Sequence, residues 1–312
     1  MIVHKGYEGL KIEKPVIALG VFDGLHKGHQ KLMDRVKACA GKIGGESVIL
    51  TFDIHPRTVL DPDNSNLFLL TTTEEEKKSL IREQGIDHLI IVEFTPEFSK
   101  IGSSDFIKNV LKDKIGVRCL IVGYDHRFGH SGTNDEPIES YAARLGIEVE
   151  RVDSVLDGGK PISSSAIRDM IVKGEIEKAN HLLGYYYTIS GNVVSGKKLG
   201  QKLGFPTANV GLDEQLKLLP ADGVYAVITV VEGKSYHGVL SLGNNPTVNI
   251  TGNKSIEAHI FDFDGGIYGK KISVSFVSRL RGLIKFKDTN ELAAQIAIDK
   301  KNAENTLKRK SD

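Results

Sequence analysis

The chain contains no tryptophan, three methionines and two cysteines, Cys39 and Cys119. Two cysteines exclude a disulfide framework, and such sparse use fits a reducing compartment. The missing tryptophan excludes nothing. Neither sign of charge prevails: 41 Lys and Arg against 40 Asp and Glu leave a formal net charge of +1. That balance gives no broad electrostatic case for a nucleic-acid partner. No apolar run is long enough to span a bilayer, and the N-terminus carries no signal-peptide pattern. No membrane partner and a cytoplasmic location are therefore expected. Internal repeats and low-complexity tracts are absent, and nothing sets the oligomeric state. What is present is a globular profile, 40% hydrophobic and 26% charged over 312 residues, with room for two domains.

The two halves differ in periodicity. In the first, apolar strands are expected at 15–20, 47–52, 88–92, 118–122 and 147–152, alternating with helices at 30–40, 74–84, 105–114 and 138–145. Leu32, Met33, Val36 and Ala40 share one face of the first helix, which Gly41 should close. Thr73 and Glu76 form a capping box for the second. Continuous apolar strands alternating with helices imply a parallel sheet covered on both faces, with ligands at the carboxyl ends of its strands. Short helices at 165–172 and 175–183 lead to Gly184, where the division between domains 1–184 and 185–312 is expected. Strands at 187–194, 223–231, 236–241, 255–263 and 271–277, separated by turn residues, then predict a small antiparallel barrel. A helix from 290 to about 307 completes it.

The strand-to-helix junction of the first half reads Gly20-Val21-Phe22-Asp23-Gly24-Leu25-His26-Lys27-Gly28-His29. A helix N-terminus presents unpaired N–H groups and partial positive charge to a phosphate, and each imidazole can add a donor. A zinc site is disfavoured: metal histidines usually lie four apart on a helix, and no thiol or carboxylate cluster is nearby. Three more patches should gather at the same rim: 51–56; 123–129, with Asp125, His126, Arg127 and Phe128; and Ile162-Ser163-Ser164-Ser165-Ala166-Ile167-Arg168. Serines opening a helix with an arginine one turn on make a second phosphate cradle.

In the second half, 191–198 nearly matches a phosphate-binding P-loop, but Lys198 stands where a Mg²⁺-ligating Ser or Thr is required. Gly196, Gly200 and Gly204, with Lys197, Lys198 and Lys202, instead make a loop that phosphate can approach. Thr207 and Asn209, two apart after Pro206, are hard oxygen donors suited to Mg²⁺ shared with a nucleotide, although Pro, Thr and Asn are equally common in turns. Along 256–261, Glu257, His259 and Phe261 face away from Ile256, Ala258 and Ile260.

The histidine junction resembles the HxGH-type signature of nucleotidyltransferases, in its Gly-x-Phe-Asp-Gly form. The string Gly-Phe-Pro-Thr-Ala-Asn at 204–209 resembles the riboflavin kinase signature. Together they are similar to bacterial bifunctional riboflavin kinase/FAD synthetases over about residues 6–307. The resemblance implies a Rossmann-like nucleotidyltransferase domain, then a β-barrel kinase domain with a C-terminal helix. It implies catalytic roles for Glu257 (general base), His26 and His29. It implies ATP and phosphate binding by Gly20, Phe22, Asp23, Gly24, Gly28, Ser163, Ser164, Ser165, Arg168, Gly196 and Gly200. Asp125, Arg127, Phe128 and Arg281 fall on the flavin side, and Thr207 and Asn209 at Mg²⁺. ATP, riboflavin and FMN are the implied small-molecule substrates, giving FMN and then FAD. The chain departs from the family at Ile54, at His126 and in the short loop 129–134. Two other readings compete: a riboflavin kinase with a weakened first domain, and a non-enzymatic flavin or nucleotide sensor.

Overall fold

The structure, a computed structural model, describes residues 1–61, 63, 67–124, 137–196, 204–244 (backbone alone at 244) and 254–310. It comprises two compact units, Met1–Ser164 and Ser165–Asp312.

The first unit is built on β1 (Ile2–Lys5), β2 (Val16–Leu19), β3 (Ser47–Phe52), β4 (His88–Val92), β5 (Cys119–Gly123) and β6 (Glu148–Val152). They pair in the order β1-β4-β3-β2-β5-β6, every pairing parallel. The central strands are apolar throughout because both faces are covered. Val16 and Ala18 pack with Met33 and Val36 of α1 (Lys27–Ile43), while Ile17 and Leu19 pack on the opposite face with Phe106 and Val110. Four further helices follow: α2 (Pro56–Leu60), α3 (Glu74–Glu83), α4 (Ser103–Asp105), which runs directly into the π-helical segment Phe106–Ile115, and α5 (Ile138–Arg144). A small hairpin of β7 (Leu156–Asp157) and β8 (Lys160–Pro161) precedes α6 (Ser164–Lys173).

Three local expectations are corrected. Helix α1 does not stop at Gly41. It runs to Ile43, where Gly44 turns left-handed (φ 60°) and donates its N–H to Ala40 O. An interior glycine weakens a helix by only about 1 kcal/mol, less than the packing of this buried face supplies. The helix also begins at Lys27, which places His29 in its first turn. In α3, Thr73 Oγ1 accepts from the Glu76 amide as expected, but Glu76 Oε2 takes the amide of Thr72, one residue before the cap.

The second unit carries α7 (Ile176–Leu183) and a closed antiparallel barrel. Its strands are β9 (Thr188–Val194), β10 (Ala208–Leu212), β11 (Gly223–Val231), β12 (Lys234–Asn244), β13 (Lys254–Ile260) and β14 (Lys271–Arg281), in the order β10-β13-β12-β11-β14-β9. The sequence reading missed β10, a five-residue strand in which Asn209 and Gly211 are residue types disfavoured in strands. Asn180 ties α7 to the barrel: its amide donates to Phe276 O and accepts from Tyr187 N, both at 2.8 Å. Helix α8 (Thr289–Lys308) lays Ala303 and Leu307 against Val224, Val239 and Phe261.

At the edge of the first unit, His4 Nε2 of β1 lies 2.9 Å from His88 Nδ1 of β4, and His88 Nε2 lies 3.3 Å from Glu46 Oε1. A bond between two ring nitrogens needs a lone pair on one of them, so it is lost when both rings are protonated. Burial, and the neighbouring His88, hold the His4 pKa below its usual 6.5. The unfolded chain therefore takes up this proton first, and the contribution of His4, complete above pH 6.5, is lost as pH falls toward the folded value. Urea unfolding of the first unit should show stability falling between pH 7.5 and 5.5, and His4→Gln should flatten part of that slope. Equal slopes in the two proteins would exclude His4 as a source.

Candidate functional site

The strand order reverses beside β2. The chain steps from β2 to β3 on one side and returns to β5 on the other, leaving a crevice at the carboxyl ends of β2 and β5. The His26–His29 junction opens into it. Gly20 continues β2 by donating its amide to Leu50 O at 3.1 Å. The next turn contains two buried non-glycine residues with left-handed backbone, Phe22 (φ 52°) and Leu25 (φ 36°). Such strain persists only where the surroundings hold it. Asp23 does much of the holding: its Oδ1 accepts the amides of Leu70 and Thr71 at 2.9 Å, and its carbonyl accepts Ser164 Oγ at 2.8 Å. Thr71 Oγ1 accepts the Gly24 amide. Only glycine suits position 24, where φ is 76° and a Cβ would stand 2.5 Å from Leu70 Cδ1.

The result is a stacked imidazole pair, His26 and His29, with ring centroids 3.8 Å apart and planes 16° from parallel. A Cβ on Gly28 would press on the His26 ring at 3.1 Å. Burial, then the neighbouring His26, push the His29 pKa well below its ordinary value. His29 is thus neutral near pH 7 and donates through a single nitrogen. Its Nδ1 is buried and meets no hydrogen-bond partner among the described residues. The pair borders a cleft of about 190 Å³ shared with Gly28, Tyr124, Asp153 and Ser164.

The second unit arranges its candidates by strand register. Asn209 of β10 pairs directly with Glu257 of β13, and Ala208 with Ala258. Directly opposed residues on antiparallel strands carry Cβ atoms about 5 Å apart on one face. The amide and the carboxylate are thereby neighbours, with Thr207 two residues before Asn209. Ser255 Oγ donates to Glu257 Oε1 at 3.0 Å. On the same face, His259 Nδ1 lies 2.8 Å from Pro206 O. A carbonyl only accepts, so Nδ1 carries the proton, and the ring holds the peptide that leads into Thr207. Burial is the main cause of the lowered His259 pKa. The sequence reading gave His259 no role, because the bond joins residues 53 apart in the chain. A cleft of about 400 Å³ reaches Thr207 between Pro206, Ile260 and the turn Phe263–Tyr268.

These sites coincide with two families. Residues 10–166 match FAD synthetase and residues 183–307 match riboflavin kinase. The bifunctional riboflavin kinase/FMN adenylyltransferase of Listeria monocytogenes is 37% identical over 92% of this chain and 90% of its own. That of Bacillus subtilis is 36% identical over 93% and 92%. The chain belongs to the bifunctional riboflavin kinase/FMN adenylyltransferase family. A crystal structure from Streptococcus pneumoniae, described as a macrolide-efflux protein, resembles it at a TM-score of 0.86 and 28% identity, covering 98% of this chain and 99% of that one. Among the described residues, no helix is long and apolar enough to cross a membrane.

The remaining family positions fall as follows. Ser163 lines the histidine cleft beside Ser164. Ser165 and Arg168 belong to the second unit, where Arg168 Nη2 donates to Ser165 Oγ at 3.1 Å. The Arg281 fork is engaged by Asp299 of α8, through Nε at 2.9 Å and Nη2 at 2.5 Å, while Nη1 donates to Gly282 O. Asp125, His126, Arg127, Phe128, the loop 129–134 and Gly200 lie outside the described residues. Gly191 to Val194 of the P-loop-like string belong to β9, and Lys197, Lys198 and Lys202 lie outside the described residues.

Gly196 packs so closely on Asn209 that a Cβ there would stand 1.9 Å from its Nδ2. A side chain must therefore displace the amide. Gly196→Val is expected to slow riboflavin phosphorylation at least about tenfold, as loss of one placed polar group does, and to leave FAD formation from supplied FMN unchanged. Initial rates for each flavin product measure this.

Proposed function

We propose that this chain makes FMN from riboflavin and ATP in residues 185–312, and FAD from FMN and ATP in residues 1–184. The observation that carries the reading is that each unit holds its own phosphate chemistry: stacked histidines at a sheet switch point in one, and Asn209 registered against Glu257 in the other.

The two reactions ask for different groups. In the kinase, the terminal ribityl hydroxyl of riboflavin must lose a proton to attack the γ-phosphorus. Glu257 accepts that proton as the new P–O bond forms and ADP departs. Thr207 and Asn209 would hold a Mg²⁺ arriving with the nucleotide, whose charge would stabilise the transferring phosphoryl group. Their fit is chemical. Both offer hard oxygens, and the described residues contain no group of three or more His, Cys, Asp or Glu able to hold a metal alone. A small cation that keeps nucleotide and water ligands suits such a sparse set.

In the adenylyltransferase, the attacking FMN phosphate oxygen is already anionic. A P–O bond forms at the α-phosphorus, and the bond to the bridging oxygen breaks to release pyrophosphate. No general base is required. His26, His29, Ser164 and the first-turn amides of α1 supply donors to the phosphates, so catalysis rests on positioning and charge stabilisation. A reducing cytoplasm suits both buried thiols, with burial pushing Cys119 up to about 12.

Flavins separated over time during incubation with riboflavin, ATP and Mg²⁺ should show FMN rising and then giving way to FAD. His29→Ala is expected to lower FAD formation at least about 10²-fold, the effect of losing one preorganised donor, with FMN formation intact; a loss below threefold would remove His29 from the site. Glu257→Gln should do the reverse, abolishing FMN formation while FAD still forms from supplied FMN. Equal damage to both activities by either variant would disprove separate sites. FMN accumulating without FAD in the unmodified chain would leave a kinase alone, and no flavin phosphate would favour the sensor.

A further inference from the structure

The run Glu74-Glu75-Glu76-Lys77-Lys78 has the composition of a solvated helix start. Lys78 fits that description, pairing with Glu74 and Glu75. Lys77 does not. It is only 9% exposed, and its Nζ donates to Phe52 O at 2.9 Å and to Thr51 Oγ1 at 3.3 Å. Thr51 Oγ1 in turn donates to Val21 O at 3.3 Å. The ammonium is therefore anchored at the carboxyl end of β3, one bridge away from the backbone that enters the strained Phe22–Leu25 turn.

The same turn contains Asp23, a carboxylate only 5% exposed. A buried carboxylate is tolerated when donors and a compensating charge surround it. Leu70 and Thr71 provide amides. Lys77 provides charge: burial lowers its pKa, and Asp23, Asp53 and Glu74 stabilise its protonated form against that. The substrate phosphates add negative charge next to this turn, so an uncompensated Asp23 would oppose them. Lys77 does not line the cleft beside the histidines.

We propose that Lys77 is a positioning residue for adenylyl transfer: its buried ammonium neutralises Asp23 and, through Thr51, fixes the Val21 backbone, so that the turn presents His26 and His29 to the nucleotide phosphates. The proposal rests on reading that histidine pair as the adenylyl-transfer site.

The test uses the full chain. Lys77→Met keeps the length of the stem and deletes the charge. It should lower kcat for FAD formation from supplied FMN at least about thirtyfold, as exposing a buried partner charge does, with KM for FMN changed less than about threefold. Riboflavin phosphorylation should be unchanged. Asp23→Asn keeps an Oδ1 for both amide bonds and removes the charge. The double variant Lys77→Met/Asp23→Asn should therefore regain at least about tenfold of the lost rate, the non-additivity expected of charges that compensate each other. A Lys77→Met enzyme within threefold of the unmodified one overturns the proposal. So does a double variant no faster than the single one, folded or not, because lost packing is not repaired by removing a remote charge. If the unmodified chain forms no FAD, or His29→Ala spares it, the reading of the site itself falls instead.

Discussion

The first unit turns on one small set of bonds, the Leu70 and Thr71 amides meeting a single oxygen of Asp23. They bring a segment far along the chain against the exit of β2 and hold a turn with two non-glycine residues at positive φ. Without that restraint the turn would relax toward ordinary backbone, and the helix that starts at Lys27 would no longer aim its first amides and two imidazoles into one crevice. Gly24 makes the close approach to Leu70 sterically allowed, and Ser164 secures the carbonyl side. The stack of His26 on His29 follows from this geometry. Burial then keeps His29 neutral, which leaves its ring a hydrogen-bond donor through one nitrogen.

The second unit reaches its chemistry by a different route. A closed barrel leaves no free edge, and β10 is the strand that closes it between β9 and β13. Closure sets register, and register sets Asn209 beside Glu257. Under the proposed chemistry, the contrast between units follows the substrates. A hydroxyl nucleophile calls for a carboxylate to accept its proton, whereas a phosphate nucleophile needs only alignment and charge stabilisation. One chain can therefore carry one site with a base and one without.

Much of this was legible beforehand. Strands β2 to β5 announced themselves as continuous apolar runs, because a parallel sheet covered on both faces leaves them no polar side. The histidine junction and the Thr207–Asn209 pair were visible because each is a short string of neighbouring residues, read without any long-range contact. Other features were hidden for physical reasons. Strand β10 is only five residues long and holds asparagine and glycine, which are poor strand formers, so with Pro206 just before it the segment looked like a turn. Gly41 looked like a helix end, yet the packed face carried α1 past it. His259 gained its place only through a bond to Pro206, which precedes β10 and lies 53 residues away in the chain.

The sequence by itself determined the two periodicities, the family of motifs and the residue types on which each reaction depends. These are local properties, set by side-chain chemistry and spacing along a strand or helix. Tertiary structure alone decided which of those residues meet. It engaged Arg281 with Asp299 of α8, and it buried Lys77 while leaving its neighbour Lys78 among surface ion pairs. Two lysines adjacent in a helix differ by about 100° in direction, and only the fold says which direction points at a strand end and which at water.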